Sequence, residues 1–270
     1  MENNKNVYLY ISTFNNDINW IKGAIPIEVG ASIRNSFIYC NNKDNVGDNI
    51  SDENQYWGEL TGLYWLWKNN KFNNEDIIGF AHYNKIIDIT KKKLYNFFDN
   101  NPSNSWVVIN PCTMVKHSYI NDIEILEKVL REKYSDYYQF WEKNYNSDGS
   151  SKIDNNCYNC EMFYTTYDEF SAYCKFLFDV LFDVYKIIGE VDRTPYHKRY
   201  LAFLGERLLT IYLEKNKSIV LESNIRTSRN KIIHLVKSSA SKIRFLKNNY
   251  LYKKIKEKNN KSRKSSWSRK

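Results

Sequence analysis

Apolar and polar positions divide the chain into short strand-like runs and longer helix-like stripes. Residues 7–12 (VYLYIS), 76–81 (DIIGFA), 106–110 (WVVIN) and 218–222 (SIVLE) are apolar runs of strand length bounded by turn formers. Between them the period changes. Tyr56, Leu60, Leu63, Tyr64 and Trp67 fall on one face of a helix, and Trp57, Thr61 and Trp65 form a second stripe beside it, so both sides are expected to be covered. Asp52, three residues before Gln55, reads as a capping box that opens this helix. Residues 117–142 read as helical segments around Ile123, Leu126, Val129 and Leu130, and residues 196–213 as a further helix. Residues 144–156 are polar and rich in Gly, Ser, Asn and Asp, which predicts a mobile loop. Strands alternating with helices predict an α/β fold with a mostly parallel central sheet.

Charge divides the chain in two. The net charge of +9 hides a mildly acidic body and a strongly basic end: residues 1–225 sum to −6 and residues 226–270 to +15. The expected organisation is a catalytic-sized domain over 1–225 and a basic tail over 226–270. In the tail, Ile232, Ile233, Val236, Ala240, Ile243 and Leu246 share one helical face among Lys and Arg, a pattern suited to an anionic membrane surface. A basic stripe alone fits nucleic acid equally well. The opening residues MENNKNVYLY are polar and then strand-like, so no secretory leader is expected, and no apolar run reaches the 18 or more residues of a membrane span. Five cysteines, an odd number, fit a reducing cytoplasm better than a disulfide framework. Cys157-x-x-Cys160 lacks the second ligand pair of a zinc site.

Candidate chemistry gathers at the end of the run 76–81, where His82, Tyr83, Asn84 and Lys85 follow. Open α/β sheets hold ligands at the carboxyl ends of their strands. A structural histidine and a surface lysine would give the same letters. Gly47, in the turn-rich DNVGD loop at 44–48, allows close backbone approach.

Four blocks carry a resemblance. GDNIS (47–51), ELTGLYW-WK (59–68), IG-HY (78–83) and FL-ERL (203–208) resemble a family of bacterial capsular and exopolysaccharide glycosyltransferases, long described as a domain of unknown function, with galactofuranosyltransferase-like members. The likeness runs over roughly residues 7–225. It departs after the second strand block, where Asn84 and Lys85 stand in place of two arginines, and again at Cys160-Glu161, which read as inserted or shifted.

The resemblance implies a GT-A-like fold and sugar transfer from a nucleotide-sugar, UDP-linked, to a glycan growing on a polyprenyl diphosphate. Galactofuranose is one candidate sugar, and inversion the expected outcome. No Asp-x-Asp pair follows the strand, so no metal ligands or other cofactor are assigned, although a divalent metal is common in such folds. Fixed cations would instead neutralise the leaving diphosphate. Thr13, Asp48, Asn49, His82, Tyr83, Lys85, Lys198 and Arg199 are the candidates for the donor and its diphosphate. Asn159 and Glu59 are candidates for the acceptor or sugar, and Glu206 for the base that takes the acceptor's proton. Two rivals remain open: a non-catalytic carbohydrate-binding or scaffold protein of the same assembly, and nucleic-acid binding through the tail.

Overall fold

The computed structural model describes residues 5–16, 21–34 and 40–227. The predicted tail helix lies outside these residues. In chain order the elements are β1 (Val7–Thr13), β2 (Ile25–Glu28), β3 (Asn42–Lys43), α1 (Asn54–Trp57), α2 (Leu60–Asn69), β4 (Ile77–His82), β5 (Lys85–Ile87) and α3 (Lys91–Asn100). They continue with β6 (Ser105–Ile109), α4 (Ile120–Lys133), α5 (Ser135–Asn144), β7 (Phe163–Thr166), α6 (Tyr167–Ile188), α7 (Pro195–Lys198), α8 (Tyr200–Lys215), β8 (Ile219–Ser223) and β9 (Ile225–Thr227). The compact unit runs to Thr227, so Arg226 and Thr227 belong to its last strand.

One sheet organises the unit, in the order β3-β2-β1-β4-β7-β6-β8. Its pairs β1–β2, β2–β3, β1–β4 and β6–β8 are parallel, and along this path β7 runs antiparallel to its neighbours β4 and β6. The small strands β5 and β9 extend β4 at its carboxyl end. Side chains on a strand alternate between faces, so a strand covered on both sides reads as a continuous apolar run. Tyr10, Ile78, Phe80, Trp106, Val108 and Phe163 point into the larger core, with α2, α4, α6 and α8. Ile11, Ile77, Ala81, Val107 and Ile109 point into a smaller one, closed by Leu94 and Phe98 of α3.

Two local expectations need correction. The helix predicted through residues 56–67 is interrupted at Gly58, whose φ of 55° lies in the left-handed region, so α1 and α2 are separate. The stripes themselves are buried as expected, apart from the partly exposed Trp67. No capping box forms, because neither the 3-10 turn at Ser51–Glu53 nor α1 has a side-chain cap bond. Buried Asp44 organises this region instead. It accepts from the backbone of Gly30 and Ala31 and from the hydroxyls of Ser51 and Thr61, joining the turn after β2 to α2. Residues 144–156 are likewise tied down: Arg207 Nε donates to the Gly149 carbonyl at 2.9 Å, and Tyr145 bridges to Ser151.

Candidate active site

The strand order reverses at β1. The chain passes outward through β2 and β3, then returns to β4 on the other side, which opens a crevice at the carboxyl ends of β1 and β4. Ser12 and His82 are register partners there. A cleft of about 320 Å³ occupies this position. Four of its walls come from distant stretches: the ends of β1 and β4, the turn carrying Arg34, the α1–α2 junction at Gly58 and Glu59, and the start of α8.

His82, Tyr83, Lys85, Glu59, Arg199 and Glu206 meet in this cleft, although they are spread over 148 positions of sequence from first to last. His82 Nε2 lies 2.5 Å from the Cys160 carbonyl oxygen, so that nitrogen carries a proton. Burial pushes the His82 pKa below its ordinary value, and the ring is neutral near pH 7. Lys85 Nζ donates to Cys160 Sγ at 3.0 Å. Arg199 Nη2 donates to Glu59 Oε2 at 3.0 Å, across the α8 start and the α1–α2 junction.

Glu206, in the second turn of α8, makes no hydrogen bond among the described residues. Its neighbour Arg207 is spent elsewhere, on the carbonyls of Gly149, Phe203 and Val115. Burial, and then the charge of Glu59, raise the Glu206 pKa above the ordinary carboxylate value. A carboxylate held above its ordinary value is a stronger proton acceptor than a free one.

Other expected residues lie outside the cleft lining. Thr13 is buried and its hydroxyl donates to the Asn15 carbonyl at 2.6 Å; Ser12 reaches the cleft instead. Asp48 accepts from Tyr64 Oη and donates its backbone N–H to Asn69 Oδ1, both on α2, and Asn49 closes back on Gly47. These residues shape the loop before α1. Lys198 lines an adjoining groove, and Asn159 lines neither. Asn84, part of the strand-end block, also lines the cleft, as do Arg34, Asn54 and Phe14, which were not expected. Arg34 did carry a signal: it is the first arginine of the chain, in a stretch of 130 residues whose other long cations are all lysine.

Glu161 was also missed. It is 1% exposed, accepts from Tyr173 Oη at 2.7 Å, and leaves its second oxygen without a partner. Burial raises its pKa to about 8, with the nearby charges of Glu206 and Glu59 adding to the effect. No group of three or more His, Cys, Asp or Glu among the described residues is placed to hold a metal ion. The five cysteines are all free. No described helix is long and apolar enough to cross a membrane.

The mixed sheet with its cleft at the strand ends makes this chain an α/β protein of the open-sheet kind. The apo structure of WbbM, a bifunctional glycosyltransferase, superposes with a TM-score of 0.70 at 21% identity, over 84% of this chain and 46% of that one. This chain therefore spans just under half of that protein's length. The model of the family described as domain of unknown function DUF4422 matches residues 15–217, and the chain belongs to that family. No curated protein matches it.

Proposed function

We propose that this protein is a glycosyltransferase of the GT-A type. In this reading it moves a sugar from a nucleotide-sugar, UDP-linked, to a hydroxyl of a glycan carried on a polyprenyl diphosphate, in the synthesis of a bacterial surface polysaccharide. The observation that carries the reading is a single one. A half-buried carboxylate of raised pKa, Glu206, shares a strand-end cleft with Lys85 and Arg199 in a fold that matches a glycosyltransferase.

The acceptor hydroxyl attacks the anomeric carbon as Glu206 takes its proton, and the bond from that carbon to the diphosphate oxygen breaks. Negative charge grows on the departing diphosphate. Lys85 and Arg199 face that charge as fixed cations, in a site where burial strengthens them relative to water. His82 is neutral and its one N–H is committed to the Cys160 carbonyl, so it offers the cleft an acceptor nitrogen or a wall rather than a charge. Attack opposite the leaving group gives inversion.

Thermal stability against UDP, GDP, CMP and UDP-sugars, each with Mn²⁺ and with EDTA, tests the donor. Ligand at about 100 times its Kd adds roughly 2.7 kcal/mol, a shift of several degrees. A UDP-specific shift that survives EDTA supports the reading with fixed cations. A shift with no nucleotide at all removes it and leaves a carbohydrate-binding scaffold. The basic segment 227–270 is proposed to hold the enzyme at an anionic membrane surface on the cytoplasmic side. Its deletion is then expected to release the protein from anionic liposomes, and unchanged binding defeats that part.

A further inference from the structure

We propose that Arg34 and Arg199 form a phosphate clamp in the wall shared by two clefts, and that the clamp takes the diphosphate of a substrate. The inference rests on the glycosyltransferase reading for what that substrate is, and on the structure alone for where the anion sits.

Arg34 and Arg199 line both the 320 Å³ cleft and an adjoining groove of about 440 Å³. The Nε atoms of both are buried and have no hydrogen-bond partner among the described residues. Buried donors are almost always satisfied, and two orphans of the same kind on one wall point to a missing acceptor. Each guanidinium lies against a ring, Arg34 at 5.1 Å from the Phe14 centroid and Arg199 at 5.5 Å from that of Phe203. A ring at that distance attracts the cation without using any of its N–H donors. Among the described residues the remaining hydrogen bonds are Asn54 Oδ1, at a long 3.5 Å from Arg34 Nη2, and Glu59 on Arg199.

Helix α1 sets the spacing of the pair. Its first residue, Asn54, abuts Arg34. Gly58, which ends it, abuts Arg199: a Cβ on Gly58 would stand 3.1 Å from Arg199 Nε. The two forks are thus fixed from opposite ends of one short, buried element. A phosphate accepts two parallel N–H bonds from such a fork, and a diphosphate has a phosphate for each. Lys198 in the groove and Lys85 in the cleft add positive charge on either side.

A diphosphate can arrive on the nucleotide donor or on the lipid carrying the acceptor. Both present the same oxygens, and the test separates them. The full chain is titrated calorimetrically with inorganic pyrophosphate, UDP and geranyl diphosphate, as the parent, as Arg34→Gln and as Arg34→Lys. The expected result is pyrophosphate binding by the parent, weakened tenfold or more in Arg34→Gln. Arg34→Lys recovers only part, because lysine restores the charge without the fork. Whichever of UDP and geranyl diphosphate loses affinity in parallel identifies the source.

Affinity for pyrophosphate within twofold of the parent in Arg34→Gln overturns the clamp, as does a parent that does not bind it. Should Arg34→Gln melt far below the parent, Arg34→Lys decides, and undiminished binding there overturns the proposal. The two readings fail separately. Glu206-dependent turnover of a UDP-sugar with no effect at Arg34 removes only the clamp. A clamp without sugar release from any nucleotide-sugar removes only the enzyme.

Discussion

His82 Nε2 sits 2.5 Å from the carbonyl oxygen of Cys160, a residue 78 positions away, and this contact joins the end of β4 to an unusual turn before β7. Cys160 and Glu161 both have positive φ, 69° and 45°, conformations that cost energy for residues with a Cβ. The turn has a visible result. It aims the Cys160 carbonyl at His82, brings its sulfur to Lys85, and turns Glu161 into the core beneath the cleft.

Replacing Glu206 with Gln removes the proposed base while keeping its shape. Turnover is expected to fall about 10²- to 10⁴-fold, with UDP affinity within twofold of the parent. Initial rates of sugar transfer beside a binding titration check this, and turnover near the parent level rejects the role.

Glu59 tunes that base. Glu206 acts only when ionised, so kcat/KM rises with pH through its pKa, which burial and then the charge of Glu59 hold high. Glu59→Gln is expected to move the acid limb of the kcat/KM profile to lower pH. It also frees Arg199, so KM for the donor should change as well. An acid limb that stays in place or moves up contradicts the coupling.

Glu161 gives stability a pH dependence of the unusual sign. Its pKa rises from the ordinary 4.5 when unfolded to about 8 when folded, so between these values the folded state binds more protons. Stability from this group is full below about 4.5, declines as pH rises, and is lost once pH passes about 8. Glu161→Gln cannot ionise. Its melting temperature, relative to the parent's, is expected to climb steadily from acid to mildly alkaline pH. A constant difference across that range would show that Glu161 is ionised in the folded protein.

Gly58 carries both a backbone and a site constraint. Alanine there must adopt φ near 55° with its Cβ 3.1 Å from Arg199 Nε. Gly58→Ala is expected to cost about 1–3 kcal/mol and to lower the melting temperature by several degrees. Donor KM should rise as Arg199 is displaced. An unchanged melting temperature would mean that the α1–α2 junction relaxes freely.

Much of the fold was legible along the chain, because strand and helix periods are local. The runs at 7–12, 76–81, 106–110 and 218–222 became β1, β4, β6 and β8, each within about two residues at either end. The block around His82 was legible for the same reason, since a strand's end marks where an α/β sheet keeps its ligands. Gly58 defeated the helix expectation because stripes continued on both sides of it, and apolar spacing does not report a φ value. Asp48 and Asn49 looked functional because polar loops do, yet Asp48 ties the loop to Tyr64 and Asn69 of α2 and Asn49 closes back on Gly47. Asp44, four residues earlier, turned out to be the buried anchor.

The order of residues was enough for the alternation of elements, the two-sided burial of the stripes around Leu60 and the division of charge between body and tail. Each of these depends on neighbours within a turn or a strand. The cleft depended on contacts between residues with no local relation: Glu59 with Arg199, His82 with Cys160, Arg34 beside Asn54. Which carboxylate is paired and which is left free followed from those contacts, because burial and charge act through space. Glu59 and Glu206 look alike as letters in two helices; only the packed structure gives one an arginine and leaves the other's carboxylate open to a proton.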